Sequence, residues 1–150
     1  FICEASPLGM AIVVDSQLRV VSIDRCEKLD VRTIPLVEDT SLPGAAQDRG
    51  DGFVPARVLW HPDAKFAVVG CNFSREVRDQ VSGREEERVQ EVMCCELRLI
   101  DHSSWSTVHI QHIGENERIH SLALYRTPDD EALVCVGTGP ELTGPYKSDH

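Results

Sequence analysis

No apolar run in this chain approaches the ~18 residues that a membrane-crossing helix requires. The first residues, Phe1-Ile2-Cys3-Glu4, lack an initiator Met, a basic opening stretch and a long apolar segment. They give the expectation of no secretory signal, and of a segment belonging to a longer protein. Positive charge is scarce as well: 15 Lys and Arg against 25 Asp and Glu leave a formal net charge of −10 and a pI near 4.9. Polyanion affinity comes largely from Lys and Arg displacing condensed counterions, so this balance works against a direct grip on a phosphate backbone. Nucleic acid would be reached only through a partner. The six cysteines, Cys3, Cys26, Cys71, Cys94, Cys95 and Cys135, show no repeated short spacing, and neither a zinc pattern nor a disulfide framework follows. A reduced intracellular compartment is the simpler reading, with most of these thiols acting as small buried hydrophobes.

What the chain does have is 150 residues, 41% of them hydrophobic, enough for the core of one ordinary domain. Short runs rich in Val, Ile and Leu recur between clusters of Asp, Ser, Gly and Pro, the pattern of many short strands. The runs fall at residues 10–14, 18–23, 31–36, 56–60, 66–71, 94–100, 105–112, 119–125 and 132–136. Asp15-Ser16-Gln17, His61-Pro62-Asp63-Ala64 and Asp101-His102-Ser103-Ser104 are turns short enough for antiparallel neighbours. βαβ crossovers, which need a dozen or more residues, do not fit such connections.

This order predicts an all-β fold, a segment of a β-propeller built from WD-like four-stranded antiparallel blades. Residues 54–113 form one complete blade in this reading, with a charged insertion at 72–91 that includes Arg84-Glu85-Glu86-Glu87-Arg88. The insertion reads as one solvated helical turn or a disordered surface loop. Residues 1–37 are expected to end a preceding propeller or partial blade. Residues 38–53, polar and rich in Asp and Gly, are expected to form a flexible loop, and 114–150 to begin a further blade that is cut short.

Chemistry-bearing patterns are thin. His109 and His112 are the close histidine pair, but in a strand residues three apart point to opposite faces and cannot readily share one ion. No Gly-x-Ser-x-Gly elbow is present for acyl transfer. Cys135-Val136-Gly137-Thr138-Gly139 starts like a phosphate loop but lacks the third glycine and the Lys-Ser/Thr ending, and Pro140 and Pro145 oppose a following helix. It reads as the end of a buried strand. The carboxylates lie in loops and strand ends, where no acid–base pair can be assigned. Catalytic, cofactor-binding and metal-binding residues are accordingly expected to be none.

Leu18-Arg19-Val20-Val21-Ser22-Ile23-Asp24, followed by Lys28-Leu29-Asp30-Val31-Arg32-Thr33-Ile34-Pro35-Leu36, resembles a segment of the multi-propeller scaffold family of the large subunit of the UV-damaged DNA-binding complex. The resemblance continues in Leu97-Arg98-Leu99-Ile100-Asp101, in residues 105–108, and in Leu133-Val134-Cys135-Val136-Gly137-Thr138-Gly139. It covers most of the chain apart from the two loops. The same superfamily holds the splicing factor 3b propeller subunit and the large subunit of the cleavage and polyadenylation specificity factor. Arg32-Thr33-Ile34-Pro35-Leu36 looks closest to the damaged-DNA member, while the His-Pro-Asp turn and the charged insertion also suit the splicing subunit. The chain departs from the pattern where residues 38–53 are inserted after Leu36, and where it stops before a next strand.

The resemblance implies a non-catalytic protein-binding scaffold, the adaptor of a cullin-RING ubiquitin ligase in DNA-damage recognition and repair. Its partners would be a cullin and substrate receptors, with nucleic acid reached indirectly and neither membrane, cofactor nor small-molecule substrate involved. Localisation would be nuclear, with a cytoplasmic pool also compatible. The alternatives are a scaffold in pre-mRNA splicing or in mRNA cleavage and polyadenylation and, from another class, a small all-β hydrolase or metal enzyme.

Overall fold

The structure is a computed structural model that describes the backbone of residues 2–6, 9–24, 28–34, 36, 54–79 and 88–140, and the side chains of 9–22, 30–34, 36, 54–75 and 91–140. The expected loop at 38–53 and the chain after Pro140 lie outside these residues. The described chain is all-β. It contains β1 (Ile2–Ser6), β2 (Gly9–Val14), β3 (Gln17–Asp24), β4 (Lys28–Ile34), β5 (Val54–His61), β6 (Phe66–Asp79), β7 (Arg88–Asp101), β8 (Thr107–Glu115), β9 (Arg118–Arg126) and β10 (Ala132–Gly139).

Within each sheet successive strands are joined as a meander, and they assemble as β1-β2-β3-β4, β5-β6-β7-β8 and β9-β10, antiparallel throughout. The turns explain why. Asp15 and Ser16 both take positive φ, 49° and 58°, and join the Val14↔Gln17 pair by a two-residue hairpin whose twist matches that of its strands. The two hairpins that bound the second sheet share another device. Lys65 N–H donates to the His61 carbonyl (2.9 Å) and Trp105 N–H to the Asp101 carbonyl (2.8 Å), each closing residue having φ near +57°.

β5 runs beside β1 on one side and β9 on the other. The first strands of successive sheets are thus neighbours, and the sheets stack face to face from that line, the arrangement of blades in a propeller. The chain is a β-propeller segment. The main core lies between the first two sheets: Ala11, Val13, Leu18, Val20 and Ile34 meet Ala67, Val69, Cys71 and Ile100, and Trp60 and Trp105 pack against its margin.

Two features differ from the sequence reading. β1 supplies a fourth strand to the first sheet, in a stretch whose polar and small residues masked its periodicity. The stretch 72–91, expected to form a loop or helical turn, is strand at 72–79 and 88–91, so that β6 and β7 reach 14 residues each. Residues 80–87 of the expected insertion lie outside the described residues. The reason lies in alternation. Phe73, opposite Cys94, and Val92 are buried together on one face, while charged neighbours give the segment its polar composition.

Candidate functional site

Three candidate chemistries can be followed into the fold. His109 pairs with Leu99 and His112 with Glu96, positions three apart on β7, so the two rings leave β8 on opposite faces as the strand period requires. His112 sits near the Phe73 ring, centroids 6.4 Å apart. Gly137 and Gly139 belong to β10 and pair with Ser121 and Arg118. Their backbone is engaged in a ladder and does not form an anion-binding loop. Cys71, Cys94 and Cys95 are fully buried. Burial pushes the Cys94 and Cys95 thiols up, in Cys94 against the lowering influence of Arg75. Both S–H groups point to backbone carbonyls, of Val92 and Gly114. These are protonated core thiols, poor nucleophiles. Cys135 is exposed. Among the described residues no group of three or more His, Cys, Asp and Glu is placed to hold a metal ion.

Asp101, His102, Ser103 and Ser104 bring together the residue types of a nucleophilic triad, but their hydrogen bonds run the wrong way for one. Ser103 Oγ–H (2.5 Å), Ser104 N–H (2.9 Å) and Ser104 Oγ–H (2.8 Å) all donate to Asp101 Oδ2. These donors hold the carboxyl down at about 2. The hydroxyls are spent on capping the turn, and His102 lies edge-on to Trp60 with ring centroids 5.6 Å apart. The cluster fixes a hairpin.

Glu96 and Arg98 form a buried ion pair, Nε to Oε1 2.7 Å, two residues apart on β7. Their register partners Cys71 and Val69 face the core shared with the first sheet, so the pair sits inside that interface. A buried pair of this kind adds little to stability, because taking both charges out of water offsets much of their mutual attraction.

The opposite face of the second sheet is built to hold β9 and β10. Gly70 is the close-approach point: a Cβ there would lie 2.9 Å from Ile119 Cγ2. Beside it, Asn72 uses its side-chain amide as a surrogate strand. Its Oδ1 accepts from Ile119 N–H (2.9 Å), and its Nδ2 donates to the Ile119 carbonyl (3.5 Å). Arg57 Nε–H donates to the His120 carbonyl at 2.7 Å. His61 Nδ1 accepts from Ala64 N–H (3.2 Å), which leaves Nε2–H to donate to the Ala132 carbonyl (3.1 Å). Asp63 of the same turn meets Arg126 at 3.1 Å, and Arg126 also meets Asp130 at 3.0 Å. The functional content of the His-Pro-Asp turn is therefore to clip one sheet to the next. None of these brackets was visible in the sequence, because the partners stand 47 to 71 positions apart.

What this arrangement offers chemically is a rigid stack of sheets with buried thiols, satisfied turns and no assembled acid, base and nucleophile among the described residues. The chain is similar to DNA damage-binding protein 1 of Oryza sativa subsp. japonica. The two are 28% identical over 151 residues, a match that takes in 98% of this chain and 12% of that protein. The chain thus spans about an eighth of the curated relative it matches. No protein-family model and no solved structure matches it. The matched span takes in all three sheets.

Proposed function

We propose that this chain is a non-catalytic segment of a multi-propeller scaffold that serves DNA-damage recognition and repair as the adaptor of a cullin-RING ubiquitin ligase. The observation that carries the reading is the similarity to DNA damage-binding protein 1 along nearly the whole chain, in a segment whose sheets stack as propeller blades. The partners in this reading are protein surfaces, a cullin and substrate receptors, and damaged DNA is reached through them. The net charge of −10 supports the indirect route, since the chain has no cationic surplus to neutralise phosphates. The place of work is the nucleus. A propeller suits such a role because its sheets hold loops and edges rigidly, so affinity rests on a few well-positioned anchors.

The test is affinity purification of the full-length protein from nuclear extract. A cullin and at least one substrate receptor are expected to co-purify, in amounts that rise after ultraviolet irradiation. Recovery of splicing or polyadenylation subunits with no cullin would move the chain to a pre-mRNA-processing scaffold.

A further inference from the structure

In stacked blades the faces of each sheet are taken by its neighbours, whichever way the ring continues. The outermost strand of each blade keeps one free edge. Two such strands are described here in complete sheets, β4 and β8, and they differ in a way that matters. β4 carries Asp30 and Arg32 at alternate positions, the charge pattern that protects an edge from pairing with another chain. β8 has no Lys, Arg, Asp, Glu or Pro from Thr107 to Gly114. Its register against β7 slips at two places, Leu99/Ile100 and Cys95/Glu96, which makes Val108 and Ile113 the extra residues of two bulges. Both are apolar and exposed, at 42% and 36%. Between them lies the window His109 to His112. There Gln111 Nε2–H donates to the His112 carbonyl at 2.9 Å, a local substitute for a donor from a neighbouring strand.

Along the chain on either side of β8 the charged residues are acidic, and Arg75 of β6 is the cation that reaches them. Between the buried Arg98 and the half-buried Arg118 the acidic residues are Asp101, Glu115 and Glu117, with no Lys or Arg among them. Arg75 engages Glu115, which leaves Asp101 and Glu117 bracketing the two ends of the strand.

We infer that the β8 edge is a docking site for an extended protein segment, added as a short antiparallel strand between the two bulges. Its apolar side chains would meet Val108 and Ile113, and basic residues would flank them. Main-chain hydrogen bonds supply affinity in this mode and the anchors supply selectivity. The bulges confine pairing to a short window, which admits a peptide and resists extended self-association. The acidic bracket and the net charge of −10 select a basic occupant and oppose a second copy of the chain. This site is independent of the DNA-damage reading, because it follows from the propeller rim alone.

Amide hydrogen exchange on the full-length protein tests it. The probe is a synthetic peptide of alternating valine and threonine closed at each end by two lysines, with a glutamate-ended version as control. The lysine-ended probe is expected to slow exchange across Thr107–Glu115 by about tenfold, and the control to leave it unchanged. Introducing Val108→Lys together with Ile113→Lys, both at exposed positions, should abolish the protection with the unfolding midpoint unmoved. Equal protection by both peptides, or protection spread over the acidic surface without β8, overturns the proposal. So does β8 protection that grows with protein concentration and needs no probe, which would assign the edge to a second copy. Should the double variant fail to fold, the two probes on the unmodified protein still decide.

Discussion

At the scale of single residues, most of the polar side chains that invite a catalytic reading are structural caps. Asp101 is the clearest. Two serine hydroxyls and a backbone N–H converge on one of its oxygens and hold its carboxyl at about 2, against an ordinary 3.8. A depressed folded value means that the ionised turn contributes stability at pH above about 3.8, lost as pH falls through about 2. Carboxyl titration followed by NMR should show Asp101 ionising well below the exposed carboxylates. In Asp101→Asn the acid branch of the stability curve between those two values should flatten. The thiols make the same point from the other direction: Cys94 and Cys95 are pushed up by burial, so they should resist alkylation in the folded chain while the exposed Cys135 reacts.

Among elements, β6 decides the most, since its two faces serve two interfaces. Odd positions Ala67, Val69 and Cys71 enter the core with the first sheet, and even positions Gly70 and Asn72 receive β9. Gly70→Ala would set a methyl 2.9 Å from Ile119 Cγ2, and overpacking of this kind costs about 1–3 kcal/mol. Ile119→Ala alone should also destabilise, by about 2–5 kcal/mol, because Ile119 is almost fully buried. Combined, the two changes should cost less than their sum, a coupling that denaturant unfolding of the four variants would measure. Additive costs would show that the two residues do not meet as described. The length of β6 and β7 belongs to this scale too. Their shared ladder continues from Ser74↔Met93 to Asp79↔Arg88, beyond the last partners of β5 and β8. A two-stranded ribbon extends from the blade where polar composition alone suggested a loop.

For the whole molecule, the two inter-sheet joints have different physics. The first is an apolar core with an ion pair inside it; the second relies more on brackets from Asn72, Arg57, His61 and Asp63 to β9 and β10. Hydrogen-bonded brackets are worth about 0.5–1.5 kcal/mol each, and leaving a buried group unmet costs about 1–3. Asn72→Leu strands the Ile119 amide and carbonyl, so it should speed exchange in Arg118–Arg126 and Ala132–Gly139 by roughly tenfold or more, leaving the sheet of Gln17–Asp24 unaffected. Uniform acceleration through all three sheets would mean that the stack opens as one unit. The outer faces of the stack carry apolar residues in register. Met10, Val21 and Val31 line up across the first sheet, and Tyr125 and Leu133, 54% and 47% exposed, pair on the last. Face-to-face stacking of further blades is what such surfaces suit.

By itself the sequence determined the fold class, because period-2 alternation and short turns are local and leave few architectures open. It also determined the opposite facing of His109 and His112, which follows from strand geometry, whereas the run expected to end at Val136 continues as strand to Gly139 and is half exposed. Only the tertiary structure decided the rest. β1 and the outer halves of β6 and β7 take their order from partners across a ladder, and their polar residues hide that from a reading of one strand at a time. The brackets on β9 and β10, the burial of Glu96 with Arg98, and the contrast between a charged β4 edge and a bare β8 edge depend on residues far apart in the chain. Local periodicity reports which face a side chain takes. What that face meets is settled only when the sheets stack.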